Sequence, residues 1–170
     1  AVYIESIEAW CKITFGSSII SDANSNPLTY ANNIYLNGEL LKELIVPDGI
    51  TEIKNFAFSG CKSIISVTLP DGVTSIENSS FKNCTNLESI NIPESITVIG
   101  DSAFEGCAAL LNIVLPDSIK SIGNRAFKDN YSLRSITLPK DFTEIGEYMF
   151  YNCRTLDHIV IPTNVVSIGN

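Results

Sequence analysis

The sequence predicts a solenoid, a stack of coils each 23 residues long, closed at its N-terminal end by a segment of different design. Three observations predict it. Six of the seven prolines, Pro47, Pro70, Pro93, Pro116, Pro139 and Pro162, stand 23 residues apart. Phe58, Phe81, Phe104, Phe127 and Phe150 keep the same step, as do Ile53, Ile76, Ile99, Ile122, Ile145 and Ile168. Cys61, Cys84, Cys107 and Cys153 form a further column, with Asn130 filling its gap. Columns that stay in register over several periods specify units that contact only their neighbours.

One unit reads Leu110-x-x-Ile113-x-Leu115-Pro116-Asp117-x-Ile119-x-x-Ile122-Gly123-x-x-Ala126-Phe127. Ile113 and Leu115 alternate with Asn112 and Val114, the pattern of a short strand. Pro116 has no backbone donor and ends that strand in a turn. Ile119 and Ile122 anchor a second extended piece, and Gly123 permits a backbone geometry that other residues resist. Asn124 to Asp129 fits one or two helical turns that press Phe127 inward. A single unit cannot bury its apolar side, whereas a stack of parallel strands ~4.8 Å apart can. Each Phe then lies over the next in a continuous spine.

Residues 1 to 40 break the period and are predicted to cap the first coil, whose apolar face would otherwise be bare. Val2-Tyr3-Ile4 reads as a strand. Ser6 to Ile13, with Ile7, Trp10 and Cys11, fits a short helix. Gly16 to Pro27 is rich in Ser and Asn and reads as a loop. Asn37-Gly38 between apolar segments predicts a tight hairpin turn. Trp10 is expected to anchor the cap, ahead of a ligand-stacking role. Residues 41 to 170 hold about five and a half repeats. The chain stops at Ser167-Ile168-Gly169-Asn170, partway through a repeat, which reads as a truncation that leaves an uncapped end open to end-to-end self-association. Residue 1 is Ala and no signal-type segment is visible, which reads as a processed or trimmed chain.

Composition narrows the function classes. The 170 residues are 45% hydrophobic and 18% charged, too apolar for a disordered chain. With 11 Lys+Arg against 19 Asp+Glu the net charge is −8. That balance speaks against a nucleic-acid partner, which needs a basic face, and against an anionic membrane surface. No apolar run reaches the ~18 residues of a bilayer span, so no membrane insertion is expected.

The pattern L-x-x-I-x-L-P-x-x-(V/I)-x-x-I-G-x-x-A-F-x-x-C resembles the leucine-rich repeats of the BspA-like bacterial surface proteins, over about residues 41 to 170. The resemblance implies a right-handed, curved leucine-rich-repeat solenoid with a parallel β-sheet on the concave face, second short strands and short helical turns. It also implies a secreted or cell-surface, adhesion-type protein, neither enzyme nor cofactor protein, that binds a protein or glycan such as a host extracellular-matrix glycoprotein. Lys54 and Glu77 depart from the pattern where later repeats have Gly100, Gly123, Gly146 and Gly169. Met149 departs where Ala57, Ser80, Ala103 and Ala126 stand.

Each candidate group has a plain structural reading beside a chemical one. Five cysteines cannot all pair within the chain, and ladder thiols run parallel without facing each other, so buried reduced thiols are expected. Metal ligands would have to converge, which a linear ladder does not do, so no metal site is expected. The acidic column Asp48, Asp71, Glu94 and Asp117 follows the prolines and reads as turn chemistry in preference to Ca²⁺ ligands. Ser135 and His158 fall in one column, but with no orienting acid or oxyanion hole they do not make a catalytic pair. Three N-glycosylation sequons begin at Asn78, Asn83 and Asn130.

The outward columns of the main strands remain. One runs Ser66, Ser89, Asn112, Ser135 and His158, and one runs Thr68, Asn91, Val114, Thr137 and Val160. A third runs Ile65, Glu88, Leu111, Arg134 and Asp157. Concave solenoid faces of this kind bind partners. The alternative reading is a structural spacer whose repeats set length and bind nothing.

Overall fold

On three-residue main strands, alternation turns the central residue inward and its two neighbours outward. The computed structural model describes residues 1–15 and 26–170, so most of the loop expected over residues 16–27 lies outside the described residues. The main strands are β4 (Glu43–Ile45), β6 (Ser66–Thr68), β8 (Ser89–Ile90), β10 (Asn112–Val114) and β12 (Ser135–Thr137). Between them lie the second short strands β5 (Glu52–Ile53), β7 (Ser75–Ile76), β9 (Val98–Ile99), β11 (Ser121–Ile122), β13 (Glu144–Ile145) and β14 (Ser167–Ile168). All solenoid pairings are parallel and join residues 23 apart, such as Leu44 with Val67 and Ile113 with Ile136. The chain is a β-solenoid of stacked 23-residue coils, as the repeat columns predict.

Both sheets are interrupted. The main sheet divides into β4-β6-β8 and β10-β12, and the second into β5-β7-β9-β11 and β13-β14. The β6–β8 ladder is intact but short, for a visible reason. Val46 N–H donates to the backbone oxygen of Thr68, one coil on. Leu69 N–H instead donates to the side-chain oxygen of Asn91 at 2.7 Å, and the Asn91 amide donates back to Leu69 C=O at 3.0 Å. The amide takes over the two backbone groups that would extend the ladder.

The segment expected to be helical is not. Residues 124–129 and their equivalents are consecutive turns. Arg125 and Asp129 both adopt left-handed backbone, with φ of 58° and 59°, and so do their counterparts in other coils. A helix cannot run through such residues. The compensation is a third inter-coil ladder. Arg125, Phe127 and Asp129 N–H groups donate up to Glu147, Met149 and Tyr151 carbonyls, while Lys128 N–H closes a turn on Arg125 C=O. Every second donor thus bonds the next coil, and the strain of about 1–2 kcal/mol per left-handed residue is offset by satisfied backbone.

The core follows the columns. The rings of Phe58, Phe81, Phe104 and Phe127 are fully buried and stacked at 5.4, 5.6 and 5.6 Å, and Phe150 continues the spine at 6.0 Å. The glycine column has a steric reason. A Cβ on Gly123 would lie 2.4 Å from the backbone nitrogen of Asp101 and 2.4 Å from its side-chain oxygen. Asp101 must sit that close because its carboxylate accepts from Asn124 N–H at 2.7 Å, one rung of a ladder that runs from Asn55 to Glu147.

At the N-terminal end, β1 (Val2–Ile4) pairs parallel with β2 (Ile34–Leu36), and β3 (Glu39–Leu40) returns antiparallel. Asn37 and Gly38 make the hairpin turn with φ of 52° and 88°, as their residue types predict. Helix α1 (Ile7–Cys11) is capped by Ser6, whose hydroxyl accepts from Ala9 N–H. Helix α2 (Leu28–Ala31) was not foreseen. Pro27 before it and left-handed Asn32 after it are its sequence signals. Trp10 is buried and its indole N–H donates to Ala57 C=O at 2.9 Å, which leaves no ring face for a ligand.

Candidate binding face

The face is built by strand parity. In β4, β10 and β12 the central residue is buried and its two neighbours are exposed. Of the residues expected on it, Thr68, Glu88, Ser89, Asn91, Leu111, Asn112, Val114, Arg134, Ser135 and Thr137 are exposed, and Ile65 and Ser66 are half-buried. Val114 is 71% exposed, an apolar spot without a covering group in its own coil. Some of the polar groups are already engaged. Ser135 Oγ donates to Asn112 Oδ1 at 2.8 Å, and Asn91 is turned to Leu69.

The last coil departs from expectation. Asp157, His158 and Val160 are exposed but lie on no strand, and β12 has no partner beyond it. The column that should carry Ser135 to His158 is therefore not formed as a ladder. The Ser135 hydroxyl is committed to Asn112, so the structure does not bring serine and histidine together as nucleophile and base. The acidic column is turn chemistry where it is engaged: Asp117 Oδ1 accepts from Lys140 N–H at 2.9 Å, and Lys140 Nζ lies 3.1 Å from Oδ2. That contact holds the Asp117 carboxyl below the ordinary range.

The cysteine column is a hydrogen-bond ladder. Cys84, Cys107 and Cys153 thiols donate to the carbonyls of Phe58, Phe81 and Phe127 at 3.1, 3.2 and 3.1 Å, and none of the five cysteines is in a disulfide. Burial pushes the Cys107 thiol up to about 12 and Cys153 and Cys11 up to about 11. The raised values favour the neutral thiol in the folded state. Its contribution is complete below the unfolded thiol range near 9 and is lost as pH climbs through the folded values. Folded protein at pH 8 is expected to resist iodoacetamide over hours while urea-unfolded protein reacts within minutes, and melting temperature should fall between pH 9 and 12. Rapid labelling of Cys84 or Cys107 without unfolding would contradict the ladder.

Asn130 occupies the cysteine column without its hydrogen bond. It is fully buried, which closes its sequon to a glycan in the folded chain, and neither amide atom has a partner. An orphaned buried amide costs about 1–3 kcal/mol. Asn130→Cys would place a thiol toward Phe104 C=O, as Cys107 is placed toward Phe81. The expected result is a gain of about 1–3 kcal/mol in urea unfolding under reducing conditions.

Comparison with known proteins agrees with this geometry. Residues 28–153 match the model of the BspA type leucine rich repeat region, in six copies. The chain belongs to the BspA-type leucine-rich repeat family. A leucine rich cell surface protein of Faecalibacterium prausnitzii is similar, with 34% identity and a TM-score of 0.69 over 74% of this chain and 33% of its own. The Treponema pallidum (T. pallidum) leucine rich repeat protein shares 31% identity, TM-score 0.60, over 75% of this chain and 72% of its own. A leucine-rich repeat protein of Bacteroides ovatus shares 27% identity, TM-score 0.61, over 76% and 40%. This chain thus spans two-fifths of the Bacteroides protein and a third of the Faecalibacterium one. No curated protein matches it.

Proposed function

We propose that this BspA-type segment is a binding module of a bacterial surface or secreted protein, and that its main-sheet face holds a protein or glycan. One observation carries the reading: Leu111 and Val114 stand exposed on either side of the Asn112 column, in a field of small polar groups on a backbone fixed by the coils. Rigid placement keeps the ordering cost of binding low. The cell-surface relative from Faecalibacterium supports the location. No helix among the described residues is long and apolar enough to cross a membrane. No reaction is proposed, since the face holds no activated nucleophile.

The test is a binding screen of the 170-residue chain against immobilised matrix glycoproteins and polysaccharides at low and physiological salt. The expected hit is saturable and survives physiological salt. Leu111→Ala or Arg134→Ala weakens it about fivefold or more at unchanged melting temperature. Silence across the panel would make the repeats a spacer.

A further inference from the structure

The residue types that dominate tight protein interfaces, Tyr and Arg, are nearly absent from the main-sheet face. They gather elsewhere. Three adjacent columns of the turn segments carry, across a single coil boundary, a cation against a tyrosine. Arg125 lies over the Tyr148 ring at 5.3 Å, Lys128 over Tyr151 at 5.9 Å, and Arg154 over Tyr131 at 5.2 Å. Each pair joins residues 23 apart, and Tyr148 meets Tyr151 edge-on at 5.9 Å. All three rings are exposed, by 41% at Tyr148, 42% at Tyr131 and 53% at Tyr151. In the coil before, the same columns hold Ser102, Glu105 and Ala108. The cluster thus does not extend into that coil.

Its charge is unusual for a chain of net charge −8. Lys128 is neutralised by Glu105 and Asp129, each at 3.4 Å. Arg125 and Arg154 are exposed and form no ion pair among the described residues. A guanidinium stacked on a ring keeps its N–H edge free for a carboxylate, and the ring fixes its plane in advance. Exposed tyrosines add rigid contact area at small entropic cost.

We infer that this ridge, formed by Arg125, Tyr131, Tyr148, Tyr151 and Arg154, is a protein-docking surface for an acidic, tyrosine-bearing polypeptide segment, distinct from the main-sheet face. Carboxylates of the segment meet the two arginines and its aromatic side chains pack on the three rings, since anchors on one side of an interface pair with anchors on the other.

The test uses the whole chain and a fluorescent random glutamate–tyrosine copolymer, read by anisotropy at physiological salt. Saturable binding is expected. It should weaken about tenfold or more in the double variant Arg125→Gln with Arg154→Gln, and about as much in Tyr151→Ser. Tyr30→Ser, at an exposed tyrosine of the N-terminal segment, should bind as the parent does. Melting temperatures should stay within a few degrees, and the exposed single variant Arg154→Gln decides the matter if the double variant unfolds. Absence of binding, equal binding by the variants, loss only in step with the folded fraction, or displacement by heparin would each overturn the assignment. The last would make the ridge a site for an anionic glycan.

Discussion

Phe104→Ala is expected to cost about 3–5 kcal/mol and to lower the melting temperature by about 10 °C. Phe104 is fully buried, with parallel rings 5.6 Å away on both sides. Removing it deletes the transfer energy of the ring and leaves a hole. Collapse is blocked because the backbone on either side is fixed by inter-coil bonds, from Phe81 N–H to Ala103 C=O and from Phe104 N–H to Ala126 C=O. In a stack whose stability is a sum over neighbours, one central ring weakens two boundaries. Phe150 supplies the comparison. It is only half-buried and has one aromatic neighbour, at 6.0 Å. Phe150→Ala is expected to lose about half as much. Equal losses in urea unfolding would show that the spine is not what couples the coils.

The same spacing that makes this prediction made the fold legible. Side chains stacked 23 residues apart must fit one another, so a column of one residue type is a direct trace of the stack. The strands β4, β6, β10 and β12 fall where alternation puts them. The turn segments were misread as helix because nothing in Asn124-Arg125-Ala126-Phe127-Lys128-Asp129 demands a left-handed Arg125. That conformation is imposed by bonds to the next coil, which local sequence does not contain. A partial signal did exist. The column Gly60, Asn83, Gly106, Asp129 and Asn152 holds only residues that tolerate positive φ, and all five adopt it.

The candidate site divides in the same way. Strand parity gives the exposure of Asn112, Val114, Ser135 and Thr137 without any structure, whereas Leu111 and Arg134 precede the strands with the parity of buried Ile113 and Ile136 and are exposed all the same. The last coil repeats the apolar spacing at Leu156 and Ile159, yet residues 157–160 form no strand, and nothing in the structure explains the difference. The Tyr–Arg ridge was invisible for a simpler reason. Tyr131, Tyr148 and Tyr151 share no column along the chain, and only stacking sets each beside a cation from the adjoining coil. The early end of the β6–β8 ladder is similar. A single Asn91 among Ile45, Thr68, Val114 and Thr137 acquires meaning only when its amide reaches Leu69.

Trp10→Ala is expected to cost more than Phe104→Ala, and in a different place. Trp10 packs on Phe15, ring centres 5.3 Å apart, and its indole N–H holds Ala57 C=O of the first coil. Truncation removes about 3–5 kcal/mol of buried ring and leaves that carbonyl unpartnered, a further cost of about 1–3 kcal/mol. Trp10→Phe separates the two terms, because it keeps most of the apolar area and loses only the donor. Its expected loss is about 1–3 kcal/mol. If residues 1–40 act as a cap, the damage is local. Amide hydrogen exchange should accelerate first in the coil that contains Phe58, and reach the coil of Phe127 only at the global unfolding free energy. Phe104→Ala, by contrast, should raise exchange on both sides of the middle of the stack. Uniform acceleration along the chain in Trp10→Ala would mean that the first forty residues and the repeats unfold as one unit, and that the N-terminal segment is part of the solenoid's core instead of its lid.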